Sequence, residues 1–257
     1  MNAVLKRKVL YVQAQFESPV NVSSGENEVT DSDVLRDCNG TPFITGSSLA
    51  GAMRAYIEKE KSEPCLLGYS DGDAGKMSSL FISDLTFEEN PVIGVRDGVS
   101  LSDKKTAVTQ SKYDIEILEA GVKAHFYLEL VIRENDDEMM MDQELATIFC
   151  GINAGEIRLG AKKTRGFGEF KIVRLSEKVY SKENYLEYAD SYNPEKWENC
   201  NNELESWIKK ASWSPKVIHV DVPLRMKGGI SIRRYAAKKG EPDYVHLTDH
   251  GVPVIPG

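Results

Sequence analysis

The sequence predicts an α+β fold, and three observations carry the prediction. Residues 8–17, "KVLYVQAQFE", alternate apolar and polar side chains at the period of a half-buried strand, and 124–133, "AHFYLELVIR", reads as a strand as well. The stretch "LAGAMRAYIEKEK" instead gathers Leu49, Met53, Tyr56 and Ile57 on one helical face. A second helix is predicted over "DQELATIFCGINAG", ended by its glycine. In chain order the elements read strand, helix, strand, strand, helix, strand, which is the ferredoxin-like or split βαβ pattern.

Each element has its own justification. The N-terminal "MNAVLKRKVLYVQAQF" has a basic cluster but neither a long apolar core nor a small-residue cleavage site, so a mature start leading into the first strand is expected. A polar stretch, "SSGENEVTDSDVLRDCNGTP", follows, with turn chemistry at Asn39-Gly40. Ser47 or Ser48 is expected to cap the first helix. "SSLFISDLTF" at 78–87 reads as the next strand. "VRDGVSLSDKKTAVTQSKYD" at 95–114 is too polar for a core and predicts a long excursion or hairpin. His125, inside the 124–133 strand, is expected in the core. "GEFKIVRL" at 168–175 closes the unit as a strand, so residues 1–175 are expected to form one domain. Residues 176–214 turn acidic and aromatic-spotted, and predict a connector of two short helices packed on that domain.

Composition narrows the class. The 257 residues are 41% hydrophobic and 28% charged, as in soluble globular proteins. No apolar run approaches the roughly 20 residues of a membrane span. Cys38, Cys65, Cys150 and Cys200 form no CxxC pair, so a reduced, cytoplasmic setting without a zinc site is expected. The net charge of −8 argues in bulk against nucleic acid. The charge is uneven, however. Residues 134–144 hold six acidic groups and no basic one, whereas 157–174 hold six basic groups against one acid. Fields are local, and an acidic protein can own a basic groove.

The chain also repeats itself. After Pro215, "KVIHVDVPLRMKGGISIR" begins with Lys-Val and keeps the alternation of "KVLYVQAQFESPVNVSS", predicting another strand. Further on, "DYVHLTDHGVPVIPG" aligns with "DSDVLRDCNGTPFITG" with one deletion. Asp243 then falls on Asp31, Leu247 on Leu35, Asp249 on Asp37, Gly251 on Gly40, Pro253 on Pro42, Ile255 on Ile44 and Gly257 on Gly46. One strand and a loop bury no core alone. Residues 215–257 are therefore expected to open a second module, with 176–214 as the connector. Within it, "HLTDH" offers His246, Asp249 and His250 to a metal, but is read as loop variation.

"TPFITGSSLAGAMR" at 41–54 and "RLGAKKTRGFGEF" at 158–170 together resemble the RAMP superfamily of CRISPR-associated proteins, specifically the repeating backbone subunits of type III effector complexes. That family carries a Pro-hydrophobic-Ile-Pro-Gly-Ser-Ser-Leu-x-Gly-x-x-Arg turn and a Gly-rich "TRGFG" loop. This chain departs at Thr45, where the family has proline; the second copy keeps it at Pro256. The resemblance implies a ferredoxin-like or RRM-like βαββαβ palm with an inserted thumb hairpin at 97–114, followed by the start of a second such module. It implies guide RNA, target RNA and neighbouring effector subunits as partners, and no membrane.

The resemblance also implies site residues. A serine pair opening a helix can offer N–H groups and hydroxyls to phosphate or simply cap, so Ser47 and Ser48, with Arg54 a turn later, are candidate RNA contacts. Lys162, Lys163, Thr164 and Arg165 lie on a glycine-bent loop that suits an anion nest. Phe167 beside them either stacks or packs. Lys104, Lys105 and Lys112 of the thumb would face phosphates. Asp31 stands where catalytic members carry their aspartate, with Asp33 and Asp37 near enough to confuse the assignment. It would hold Mg²⁺ or Mn²⁺, or orient a 2′-hydroxyl attacking the adjacent phosphate of target RNA. Asp243 would be its counterpart. The alternatives are a non-catalytic RNA scaffold, a guide-processing endonuclease, or an interaction domain without RNA.

Overall fold

Leu10, Val12, Ala14 and Phe16 of the first strand are fully buried on one face, while Tyr11, Gln13 and Gln15 point to the other. This strand, β1, spans Val4–Phe16 in the computed structural model, which describes residues 3–23, 31–60, 64–71, 74–104, 106–198, 200–235 and 244–255. After it come β2 (Phe43–Ile44), α1 (Gly46–Glu60), β3 (Tyr69–Asp71), β4 (Ala74–Lys76), β5 (Leu80–Ile82), β6 (Leu85–Phe87), β7 (Ile93–Leu101) and β8 (Ala107–Leu118). The chain continues through β9 (Lys123–Arg133), α2 (Glu138–Asn153), β10 (Phe170–Tyr180) and α3 (Leu204–Ile208). Two small pairs follow, β11 (Arg233–Tyr235) with β12 (Tyr244–His246) and β13 (Thr248–Asp249) with β14 (Val252–Pro253).

The main sheet has the order β10-β1-β9-β6-β2, with β5 also on β9, and every pairing in it is antiparallel. Leu49, Met53 and Ile57 of α1 and Leu145, Ile148, Phe149 and Ile152 of α2 cover the Leu10 face. Each such side chain gains roughly 1.5–3 kcal/mol by leaving water. The result is an α+β protein compatible with a ferredoxin-like arrangement.

Local chemistry moves several boundaries. The cap of α1 is neither Ser47 nor Ser48 but Thr45, whose Oγ1 accepts the Ser48 N–H at 3.2 Å. Asp84 Oδ1 accepts the Gly46 N–H at 2.8 Å. α2 begins at Glu138, ahead of the expected Asp142, because Asp137 caps it by accepting the Met140 N–H at 3.0 Å. The strand expected over 78–87 breaks at Ser83, whose Oγ accepts the Tyr127 N–H at 2.9 Å. His125 is not in the core. It lies half-buried on the open face, with Nε2 3.1 Å from Thr86 Oγ1 and its ring 5.7 Å from that of Tyr11.

Residues 97–114 fall inside the β7–β8 hairpin, as the polar excursion predicted. The far edge of β8 receives the polar loop: Val20 bridges Leu118, and Ser32 bridges Ile115. The connector straddles the β10 edge. On the open face the Glu129 carboxylate, buried, takes the Tyr188 and Tyr192 hydroxyls and pairs with Arg7. At the edge, Asn202 Oδ1 accepts the Leu175 N–H at 3.1 Å, and the Glu203 N–H donates to Leu175 O at 2.6 Å. Beyond it, α3 drives Trp207 into the core against Phe149. In place of the expected pair of short helices stand α3, a six-residue 3₁₀ helix at Tyr185–Asp190 and a single 3₁₀ turn at Pro194–Lys196.

The strand expected after Pro215 does not form: residues 217–231 pair with no strand among the described residues. The loop after it nevertheless reproduces the contacts of the first. Ser23 bridges Val34, as Arg233 pairs with His246. The Leu35 N–H donates to Val22 O at 3.1 Å, as Leu247 N–H does to Ile232 O at 2.9 Å. Arg36 bridges Pro42, as Thr248 pairs with Pro253. Phe43 N–H donates to Leu35 O at 3.2 Å, as Val254 N–H does to Leu247 O at 3.1 Å. Gly40 and Gly251 share φ values of 81° and 77°.

Candidate nucleic-acid interface

The Gly-rich loop owes its shape to two close approaches. A Cβ at Gly160 would lie 2.0 Å from Asn21 O, and one at Gly168 would lie 1.8 Å from Leu159 O. Both residues have φ of 77°, where only glycine is comfortable. Between them Lys163–Arg165 makes a single 3₁₀ turn, entered through left-handed Lys162 and left through Gly166. Lys163, Thr164 and Arg165 are exposed, and none of Lys162, Lys163 and Arg165 makes an ion pair among the described residues. Phe167 packs: it is buried against Ile115, Ile117 and Tyr113.

The loop grips β8 at Tyr113. Lys162 Nζ lies 4.4 Å from the Tyr113 ring centroid and 3.3 Å from its hydroxyl, and Arg165 Nη1 donates to the same hydroxyl at 2.9 Å. Burial pushes the phenol up, but the hydrogen bonds and charges of Lys162 and Arg165 outweigh it and hold the Tyr113 pKa below its usual value.

Asp31 reaches the next residue of that strand. Its Oδ2 accepts the Asp114 N–H at 2.9 Å, while Asp114 Oδ1 accepts the Asp31 N–H at 3.3 Å. Neighbouring contacts fix the register: Val34 N–H donates to Glu116 Oε2 at 3.1 Å, and Arg36 pairs with Glu116 at 2.8 Å. Asp31 is exposed. Its sequence neighbours are engaged otherwise. Asp33 is buried, and Asp37 Oδ1 accepts the Asn39 and Thr41 N–H groups at 2.8 and 2.9 Å to shape a turn. Asp31 and Asp114 form a pair of carboxylates rather than a three-ligand set, and Asp31 Oδ1 and Asp114 Oδ2 carry no hydrogen bond among the described residues.

The remaining candidates divide into other places. Ser47 and Ser48 sit at the α1 start, where Thr45 and the Asp84 carboxylate already engage N–H groups. The strand that leads into them is tied to the basic loop by a run of backbone bonds, Ala161 N–H to Asn21 O, Leu35 N–H to Val22 O and Phe43 N–H to Leu35 O. Arg54 makes an exposed pair with Glu58 at 3.5 Å and borders an open hollow of about 540 Å³ with Tyr69 and Lys76. Lys104 is exposed at the hairpin tip, and Lys112 lies 3.9 Å from Asp97 across the strands. Lys105 and Asp243 lie outside the described residues.

Sequence reasoning missed Tyr113 and Asp114, which enter the site only through partners far away in the chain. Among the described residues no helix is long and apolar enough to cross a membrane. Residues 13–171 match the family model of the RAMP superfamily. Among curated proteins no match was found.

Proposed function

The chain belongs to the RAMP superfamily, which ties it to CRISPR-associated RNA binding, and from that premise we propose that it is a guide-RNA-binding backbone component of a type III effector complex that cuts guide-paired target RNA at Asp31. The observation that carries this reading is the meeting of two loops, distant in sequence, on adjacent residues of β8: the basic 162–165 turn on Tyr113, and Asp31 on Asp114. Cations that make no ion pair among the described residues, anchored one strand position from a pair of carboxylates, supply the charges that binding and cutting a polyanion require.

Lys162, Lys163 and Arg165 would neutralise successive phosphates, with Thr164, Ser47, Ser48 and Arg54 extending the contact. The β7–β8 hairpin would be the thumb, with Lys104, Lys105 and Lys112 toward the strand. Asp31 and Asp114 fit Mg²⁺ or Mn²⁺, because each presents an oxygen outside any hydrogen bond among the described residues and such ions take hard oxygen donors. The bound ion would supply charge neutralisation at the scissile phosphate. Asp31 itself would orient or deprotonate the 2′-hydroxyl. The duplicated contacts after residue 232 support residues 215–257 as the opening of a second module, with Asp243 as the counterpart of Asp31.

Substituting Asp31→Ala is expected to lower target cleavage at least ~100-fold while guide binding stays unchanged. Undiminished cutting would remove Asp31 from the mechanism, and absence of cutting in the parent protein would leave the scaffold role. A salt dependence of RNA binding with slope near zero would exclude the phosphate contacts.

A further inference from the structure

We propose that Glu119, Asp249 and His250 form a divalent transition-metal site that ties the β13–β14 hairpin to the base of the β7–β8 hairpin. One ligand atom from each of the three lies within 4.8 Å of the others. Two carboxylates and an imidazole are a donor set that Mn²⁺ and Zn²⁺ both accept.

The histidine is set up as a ligand. Its Nε2 lies 2.7 Å from Ala120 O, a carbonyl that can only accept, so the proton of the neutral ring sits on Nε2. Nδ1 then turns its lone pair toward Glu119 Oε2, 3.5 Å away. Two lone pairs face each other unless a cation stands between them. Metal-bound histidines are held in this manner, with the second ring nitrogen donating to a backbone carbonyl. Glu119 is only 8% exposed, and the His250 N–H donates to its Oε2 at 2.8 Å, which draws the turn onto the carboxylate.

The duplicated loop supplies an independent contrast. In the first copy Asp37 Oδ1 accepts two backbone N–H groups of its turn. In the second the turn is one residue shorter, and the equivalent Asp249 Oδ1 is buried with no hydrogen-bond partner among the described residues. A buried carboxylate oxygen left alone costs free energy that a bound cation would recover. The site does not depend on the RNA reading, and His246, the other histidine of "HLTDH", is turned away with Nδ1 toward Leu247 O.

The test uses the full chain loaded with Mn²⁺ alone and read by pulsed electron paramagnetic resonance. An imidazole nitrogen coupling is expected in the parent protein and in Asp31→Ala. It should vanish in His250→Ala, an exposed position whose loss leaves the core intact, and Asp249→Asn should weaken Mn²⁺ binding at least ~10-fold. A spectrum without nitrogen coupling at saturating Mn²⁺, or a coupling that survives His250→Ala, overturns the site. If instead a shared proton satisfies Nδ1 and Glu119, the parent protein shows no coupling, and the proposal fails in that way too.

Discussion

Leu10, Val12, Ala14 and Phe16 occupy the same alternate positions after Lys8 that Ile218, Val220, Val222 and Leu224 occupy after Lys216. The first four are fully buried; the second four are 87, 74, 65 and 87% exposed. Alternation marks which side chains share a face, and only neighbouring strands turn that face into a core. β1 has β9 and β10 on its two sides, whereas 217–231 has no strand beside it among the described residues. The turns that follow the two segments, by contrast, share the same set of hydrogen bonds, each closed between the turn and its own preceding segment.

The sharpest way to break this comparison is to truncate equivalent side chains. Leu10→Ala should cost about 2–5 kcal/mol in denaturant unfolding, against no more than ~0.5 kcal/mol for Ile218→Ala. Equal costs would mean that the 217–231 segment is packed after all. The two lysines give a smaller contrast. Lys8, nearly buried, is held by Asp142 and Glu138 at 2.7 Å, and Lys8→Ala should lose about 3 kcal/mol. Lys216 pairs with Glu60 at the surface, and Lys216→Ala should lose no more than ~1 kcal/mol. Smallest is the turn. Gly40→Ala should cost about 1–2 kcal/mol from its left-handed backbone, since nothing crowds the added methyl. Gly251→Ala should act on its own hairpin, seen as faster amide exchange at Leu247 and Val254.

Much of the fold was legible because it rests on periodicity. β1 alternates, β9 is dense in aromatic and aliphatic residues, and the Leu49 face of α1 repeats at helical spacing. The start of α2 was hidden by Met139 and Met140, 79 and 47% exposed, which look apolar but face water. The break at Ser83 was hidden because it depends on a hydroxyl reaching the Tyr127 N–H across the sheet. The antiparallel pair β3–β4 carries no alternation and left no trace. At the site, Asp31 and the glycine-bent basic turn were visible in motifs. Tyr113 and Asp114 were not, since nothing in "SKYD" announces an aspartate and two cations arriving from elsewhere. His125 misled for the opposite reason: an apolar strand suggests a core for every residue in it, but its odd positions face the open side.

The strap over β10 has a consequence for assembly. With the Leu175 N–H taken by Asn202 and the Leu175 carbonyl by Glu203, that side of the sheet has spent backbone groups an incoming strand would need. A strand approaching that margin would therefore find no backbone partner at Leu175. The other border of the sheet is the two-residue strand Phe43–Ile44, so neither margin offers a long run of free backbone in register with β10 and β1.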